Sequence, residues 1–196
     1  MVFQAYTSFP WLTVLDNIRF GTKYRDDIGK MEKETVADHY LQLVGLKEFS
    51  DYYVNRISGG MRQRVAVART LAANPDVLLM DEPFGALDAQ TREFLQGQLL
   101  EINKRERKTT IFVTHDVDES IVLADRIFIF SARPARVIEI IQVSQHITSE
   151  RDISVKETQS FFKLRNHIRD LMRDQARRTQ ELAEQEIIHG VEGGRV

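Results

Sequence analysis

The sequence predicts an α/β fold built on a parallel sheet. Segments with helical apolar spacing alternate along the chain with short, continuous apolar runs. Two of those runs, Val77-Leu78-Leu79-Met80 and Thr109-Thr110-Ile111-Phe112-Val113, each follow a helix-like segment, the pattern of strands covered on both faces.

The elements follow in order. Met1-Val2-Phe3-Gln4 reads as the end of a strand, and Phe9-Pro10-Trp11 as a turn. Residues 13–20 carry Val14, Leu15 and Ile18 at helical spacing, with Thr13 a candidate N-cap. Residues 24–31 are charged and read as a loop. Residues 30–46 predict an amphipathic helix with Val36, Tyr40, Leu43 and Val44 on one face and Gly45 near its end. Residues 58–73 predict a second helix whose buried face is Val65, Ala68, Leu71 and Ala72, and Asn74-Pro75 breaks it. Residues 89–105 predict a third, with Phe94, Leu95, Leu99 and Ile102 inward, and residues 117–124 a shorter one. Residues 126–130 and 137–141 are β-rich and flank Pro134, a hairpin-like pair. Later, Phe161, Leu164, Ile168, Leu171 and Met172 form one helical face. Residues 173–186 are dense in charge, and Gly190, Gly193 and Gly194 suggest a frayed end.

Composition narrows the function. Hydrophobic residues make up 42% and charged residues 29%, enough apolar content to bury a core. A net charge of −2 supplies no bulk attraction for nucleic acid or an anionic membrane. The absence of cysteine excludes disulfides, thiolate metal sites and a cysteine nucleophile. No apolar run approaches the roughly 20 residues that span a bilayer, and residues 1–10 lack the basic and apolar pattern of a signal peptide.

Three segments carry chemistry. In Ile57-Ser58-Gly59-Gly60-Met61-Arg62-Gln63-Arg64, a serine and two glycines open a helix. Free backbone N–H groups and the helix dipole there favour an anion, and the glycines allow close approach; a plain glycine-rich cap is the alternative. Val77 to Met80 leads into Asp81-Glu82, two carboxylates at the C-terminal edge of a strand, where α/β sheets bind ligands. Asp81 suits a Mg²⁺ ligand and Glu82 a general base, with a solvated acidic turn the alternative. Ile111-Phe112-Val113 leads into Thr114-His115-Asp116. A histidine there can meet a phosphate or orient water, although an isolated strand-end histidine is more often a capping or core residue.

Together these segments, with Pro83 and Ala86-Leu87-Asp88, occur in one order that resembles the nucleotide-binding domain of ABC transporters. The resemblance covers residues 1–142. It identifies Ser58 to Gln63 with the signature motif, Asp81 and Glu82 with the Walker B carboxylate and catalytic glutamate, Asp88 with the D-loop and His115 with the switch histidine. Gln4 is similar to the Q-loop glutamine, which contacts Mg²⁺. The stretches at Pro10-Trp11-Leu12-Thr13-Val14-Leu15-Asp16-Asn17, Ser131 to Pro134 and Phe161 to Arg165 resemble importers of nitrate, sulfonate and taurine. Ile57 stands where leucine is usual, and Val54 where many importers have proline.

The resemblance implies a P-loop NTPase-type core with a helical subdomain at about 11–69, and a division into 1–142 and a helical extension at 143–196. It implies ATP and Mg²⁺ as cofactors, with Glu82 and His115 catalytic. Gln4, Ser58, Gly59, Gly60, Gln63, Asp81 and Asp88 would contact the nucleotide, and Asp81 and Gln4 the Mg²⁺. Implied partners are a second ATP-binding subunit paired head to tail, transmembrane permease subunits and, indirectly, a solute-binding protein. The implied place is peripheral, on the cytoplasmic face of the membrane. No Gly-x-x-x-x-Gly-Lys-Ser/Thr occurs: Gly29-Lys30 has Tyr24 five residues before Gly29 and Met31 after Lys30. The expectation is therefore a chain lacking the family's first strands and inactive alone, or a subunit that supplies only a signature motif to a partner. A DNA-repair or translation ATPase of the same superfamily would show a long coiled-coil insertion or a second cassette, and the sequence has neither.

Overall fold

The computed structural model describes residues 1–2, 8–106, 108–131, 134–148 and 152–192, with side chains except at 106 and 178–192. They form two compact units, Met1–His115 and Asp116–Val196.

In the first unit, helices α1 (Val14–Thr22), α2 (Lys30–Leu43) and α3 (Gly59–Ala72) pack on one another. Thr13 caps α1: its Oγ1 accepts from the Asp16 backbone N–H at 3.1 Å and donates to the Asp16 carboxylate at 2.8 Å. The face of α2 is Ala37, Tyr40 and Leu41, with Val44 just beyond its end, and Gly45 takes φ +65° to leave the helix. At the crossing of α1 and α3, a Cβ added to Gly21 would lie 2.2 Å from the Arg69 carbonyl oxygen, so only glycine fits. After α3, Asn74 adopts φ +50°, the left-handed turn that asparagine tolerates, and Pro75 prevents continuation.

Strands β1 (Val77–Asp81) and β2 (Thr109–Val113) pair in parallel, with Val77 opposite Thr109 and Asp81 opposite Val113. Helix α4 (Ala89–Glu106) supplies the crossover. Val2 adds to the other side of β1, its N–H donating to Leu79 O at 2.8 Å and its carbonyl accepting from Asp81 N at 2.9 Å. The expected strand end thus pairs at Val2; Phe3 and Gln4 lie outside the described residues.

Coverage of both strand faces does not hold. Leu78 and Met80 are buried, but Val77, Leu79, Ile111 and Val113 are exposed. Met80 faces an apolar pocket with Val67 and Leu71 of α3 and Leu95, Leu99 and Ile102 of α4, so the helices cover that face of the pair. Phe94, expected inward, is 49% exposed, and Gln96 is buried instead. Helix α4 thus buries Leu95, Gln96, Leu99, Leu100 and Ile102, a stripe rotated from the one expected.

In the second unit, helix α5 (Val117–Leu123) precedes an antiparallel pair, β3 (Arg126–Phe130) and β4 (Val137–Gln142), which is the hairpin expected. Helix α6 (Gln159–Glu192) packs its Phe161, Leu164 and Ile168 face in the unit that holds α5. Its helical backbone runs through Gly190 to Glu192, Gly193 and Gly194 lie outside the described residues, and Met172 is exposed rather than part of the buried face. The compact units divide after His115, and α6 packs on α5 within the second.

Two outcomes are expected. Gly21→Ala must push α1 and α3 apart and should lower stability by about 1–3 kcal/mol, despite alanine's better helix propensity; urea unfolding measures this. Replacing Ile111 and Val113 together by threonine keeps β-branched side chains on the strand while removing exposed apolar surface. Concentration-dependent self-association in size-exclusion chromatography should fall, with the circular dichroism spectrum unchanged.

Candidate functional site

The site is built where the two parallel strands end. The backbone ladder runs one residue past β1: Glu82 N donates to Val113 O at 2.9 Å. That bond holds Glu82 beside the end of β2, two residues before His115. Their side chains meet there, with Glu82 Oε1 2.9 Å from His115 Nδ1. With its proton on Nδ1 the imidazole donates to the carboxylate, and a protonated ring makes an ion pair. The Glu82 side chain is only 25% exposed while His115 is 73% exposed, so the pair presents an imidazole to solvent over a partly sheltered carboxylate.

Glu82 itself has φ +45°, a left-handed conformation that a side chain with a Cβ adopts at a cost of roughly 1–2 kcal/mol. The turn that follows holds it there, with Gly85 N donating to Glu82 O at 3.2 Å. Backbone strain of this kind is held by surrounding structure and clusters where a side chain must be aimed. Asp81 is half-buried at the last position of β1, its backbone tied to Val2. Among the described residues, no group of three or more histidine, aspartate or glutamate side chains forms a metal cage. Asp81 beside Glu82 instead fits the one or two carboxylates that Mg²⁺ takes when phosphates complete its shell.

A second feature lies at the start of α3. Ser58 is the N-cap, its Oγ accepting from Met61 N at 3.2 Å. Ser58 is exposed and Gly59 and Gly60 are half-exposed, so this helix N-terminus is open on one side. Arg62 closes the turn from behind, donating from Nη1 to Ile57 O at 2.7 Å. A Cβ on Gly60 would sit 3.3 Å from Leu87 Cδ2 and 3.8 Å from Ala86 O, so the glycine turn packs directly on the Ala86-Leu87 segment. Gln63 is buried in α3 and does not face solvent.

Asp88 stands at the N-cap position of α4. Its Oδ1 accepts from Thr91 N at 2.9 Å, and its carbonyl accepts from Arg92 N at 2.9 Å. The Thr91 backbone N–H, then its hydroxyl, hold the Asp88 carboxyl below its ordinary value, with Arg64 adding a smaller attraction. Burial in turn pushes the Arg64 guanidinium below its ordinary value, and its Nη1 donates to Val44 O at 3.0 Å.

The structure thus brings Glu82 and His115 into contact, and Gly60 against the segment before Asp88. Gln4 lies outside the described residues. Sequence reasoning passed over Arg64, Arg69 and the fully buried Asn17; a polar residue on the apolar face of α1 was the available signal.

The ABC transporter family model matches residues 1–85. An uncharacterized ABC transporter ATP-binding protein of Methanocaldococcus jannaschii is 46% identical over 175 residues, 89% of this chain. The chain spans 63% of that relative's length. A nitrate import ATP-binding protein of Synechocystis is 42% identical over 185 residues, 92% of this chain and 68% of the relative. Among solved structures, an ATP-binding cassette in a dimeric post-hydrolysis state with ADP and Pi aligns with TM-score 0.63 and 34% identity, covering 72% of this chain and 61% of that one.

Asp88 generates a pH prediction. A carboxyl whose folded pKa is depressed contributes stability above its unfolded pKa and loses it as pH falls through the folded value. Thermal stability of the wild type should therefore decline more steeply below about pH 4, the ordinary aspartate range, than that of Asp88→Ala, which should be less stable at neutral pH and converge with wild type in acid.

Proposed function

The chain belongs to the ABC transporter ATP-binding protein family, and on that premise we propose that it is the ATP-hydrolysing subunit of an importer for a small anionic solute. Nitrate is the solute favoured by the relatives, with sulfonate and taurine in the same chemical class. The observation that carries the reading is the 2.9 Å contact between Glu82 and His115 at the ends of two parallel strands.

In this reading Glu82 Oε accepts a proton from the attacking water as the water's oxygen bonds to the γ-phosphorus and the bond from that phosphorus to the β–γ bridging oxygen breaks, so that ADP leaves with the bonding pair and inorganic phosphate is formed. A carboxylate that is only a quarter exposed and aimed by a held turn is suited to that role. His115, presented to solvent above it, donates to a γ-phosphate oxygen and orients the water through its contact with Glu82. Ser58, Gly59 and Gly60 offer an open helix N-terminus to the phosphates of a nucleotide held by a second subunit, paired head to tail. Asp88 caps the helix that follows the Ala86-Leu87 segment on which this turn packs. Asp81 and Gln4 would hold Mg²⁺, which supplies charge neutralisation at the β- and γ-phosphates when bound with the nucleotide.

Phosphoryl transfer depends on an anchored triphosphate, and these 196 residues contain no Gly-x-x-x-x-Gly-Lys-Ser/Thr. The chain alone is therefore inactive in this reading. A second reading, a non-catalytic subunit that lends only Ser58 to Gly60, is favoured by that same combination of an open signature turn and no phosphate loop. Among the described residues no helix is long and apolar enough to cross a membrane. In this reading transmembrane permease subunits are the partners to which hydrolysis is coupled.

Two measurements test the proposal. The isolated chain should show no MgATP turnover above background by phosphate release. In a subunit that includes a phosphate loop, Glu82→Gln should lower kcat by about 10²–10⁴, the usual worth of a general base, with KM little changed. Wild-type turnover by that variant would refute the assignment of Glu82, and a chain that is silent with the loop supplied would favour the second reading.

A further inference from the structure

A fully buried polar side chain sends all its hydrogen bonds to a single loop. Asn17 of α1 is 0% exposed. Its Oδ1 accepts from Phe9 N at 2.8 Å, and its Nδ2 donates to Thr13 O at 2.9 Å, Phe9 O at 3.1 Å and Leu12 O at 3.4 Å. An amide has the donors and acceptors to bind both backbone groups of Phe9 at once, and such a buried network specifies one loop conformation.

The loop is also gripped from its other side. The Phe9 ring packs edge-on to Phe20 of α1 at 4.6 Å, and the Arg69 guanidinium of α3 lies 4.8 Å from its centroid. Arg69 stands at the crossing where Gly21 lets α1 approach the α3 backbone. Helix α3 then runs unbroken back to Gly59 and its Ser58 cap.

We infer that Asn17 and Arg69 are positioning residues that together latch the loop of residues 9–13, Asn17 onto α1 and Arg69 onto α3. Asn17 sets the backbone of the loop, and Arg69 fixes its aromatic anchor to the helix. The latch does not rest on the function proposed above.

The chain carries its own reporter. Trp11 is its single tryptophan, lies in this loop 68% exposed, and its ring is 5.5 Å from that of Phe9. The experiment is time-resolved fluorescence anisotropy of Trp11 in the 196-residue chain without nucleotide. In wild type the decay should follow overall tumbling. Asn17→Ala and Arg69→Gln should each roughly double the amplitude of the fast, nanosecond component that reports loop motion. The double variant should add little to either, because both act on one latch. Arg69→Gln leaves the hydrogen bonds of Asn17 intact, so it carries the test if Asn17→Ala fails to fold by circular dichroism. Phe94→Ala, on an exposed position of α4, should leave the decay unchanged. Wild-type anisotropy in a folded Arg69→Gln, or releases that add as independent effects, would overturn the latch. Neither result depends on Glu82, so the latch and the ATPase reading fail separately.

Discussion

The parallel register of β1 against β2 is the constraint on which the candidate site depends. Asp81 lies opposite Val113, and the ladder continues one bond further, from Glu82 N to Val113 O. Side-chain direction alternates along a strand, so a slip of one residue would turn Glu82 away from His115. The register is enforced from below, where Leu78 and Met80 are buried while their neighbours Val77 and Leu79 are not. Apolar burial on one face of a short strand thus aims a carboxylate several residues away. The left-handed Glu82 backbone is a cost that this scaffold supports.

Helix ends do the complementary work. Side chains close several of them: Thr13 on α1, Ser58 on α3, Asp88 on α4, Thr158 on α6 and Asp116 on α5, where Oδ1 accepts from Asp118 N at 2.8 Å and Glu119 N at 3.2 Å. These caps satisfy amides that would otherwise remain unpaired. The α3 end differs in carrying two glycines after its cap, one pressed on Ala86 and Leu87. A larger residue at Gly60 would press on Leu87 at 3.3 Å, tighter than a comfortable contact, so the glycine serves packing as well as an open backbone. One residue therefore answers two demands that the sequence cannot separate.

The second unit follows simpler rules. Ile127, Ile129 and Ile141 are buried while Phe128, Phe130, Val137 and Ile140 are exposed, the alternation of a pair covered on one side. Helix α6 is tethered by charge as well as apolar contact: Arg165 and Arg169 approach Asp118 at 3.7 and 3.8 Å, and His167 Nε2 lies 2.9 Å from Glu139 Oε1 of β4. These groups are partly exposed, so solvent screens them. Phe161, Leu164 and Ile168 are the main source of docking energy.

Local chemistry was legible in the residues themselves. Thr13, Ser58, Gly45 and Asn74-Pro75 mark helix ends because capping and left-handed turns depend on a few neighbouring atoms. The order Ser58 to Gln63, Asp81-Glu82, Ala86 to Asp88 and Thr114 to Asp116 indicated the family because each motif is contiguous. The faces of β1 and β2 were not legible: Val77, Leu79, Ile111 and Val113 read as core, but whether an apolar side chain is covered depends on which elements lie beside it. The contact between Glu82 and His115, the buried amide of Asn17 under Phe9 and the rotated stripe of α4 join residues far apart or on different faces, and neither spacing nor composition encodes such distances. The sequence by itself determined which residues can cap, turn, bind an anion or accept a proton; tertiary packing alone decided which of them meet, because that follows from strand register and helix crossing rather than from any local propensity.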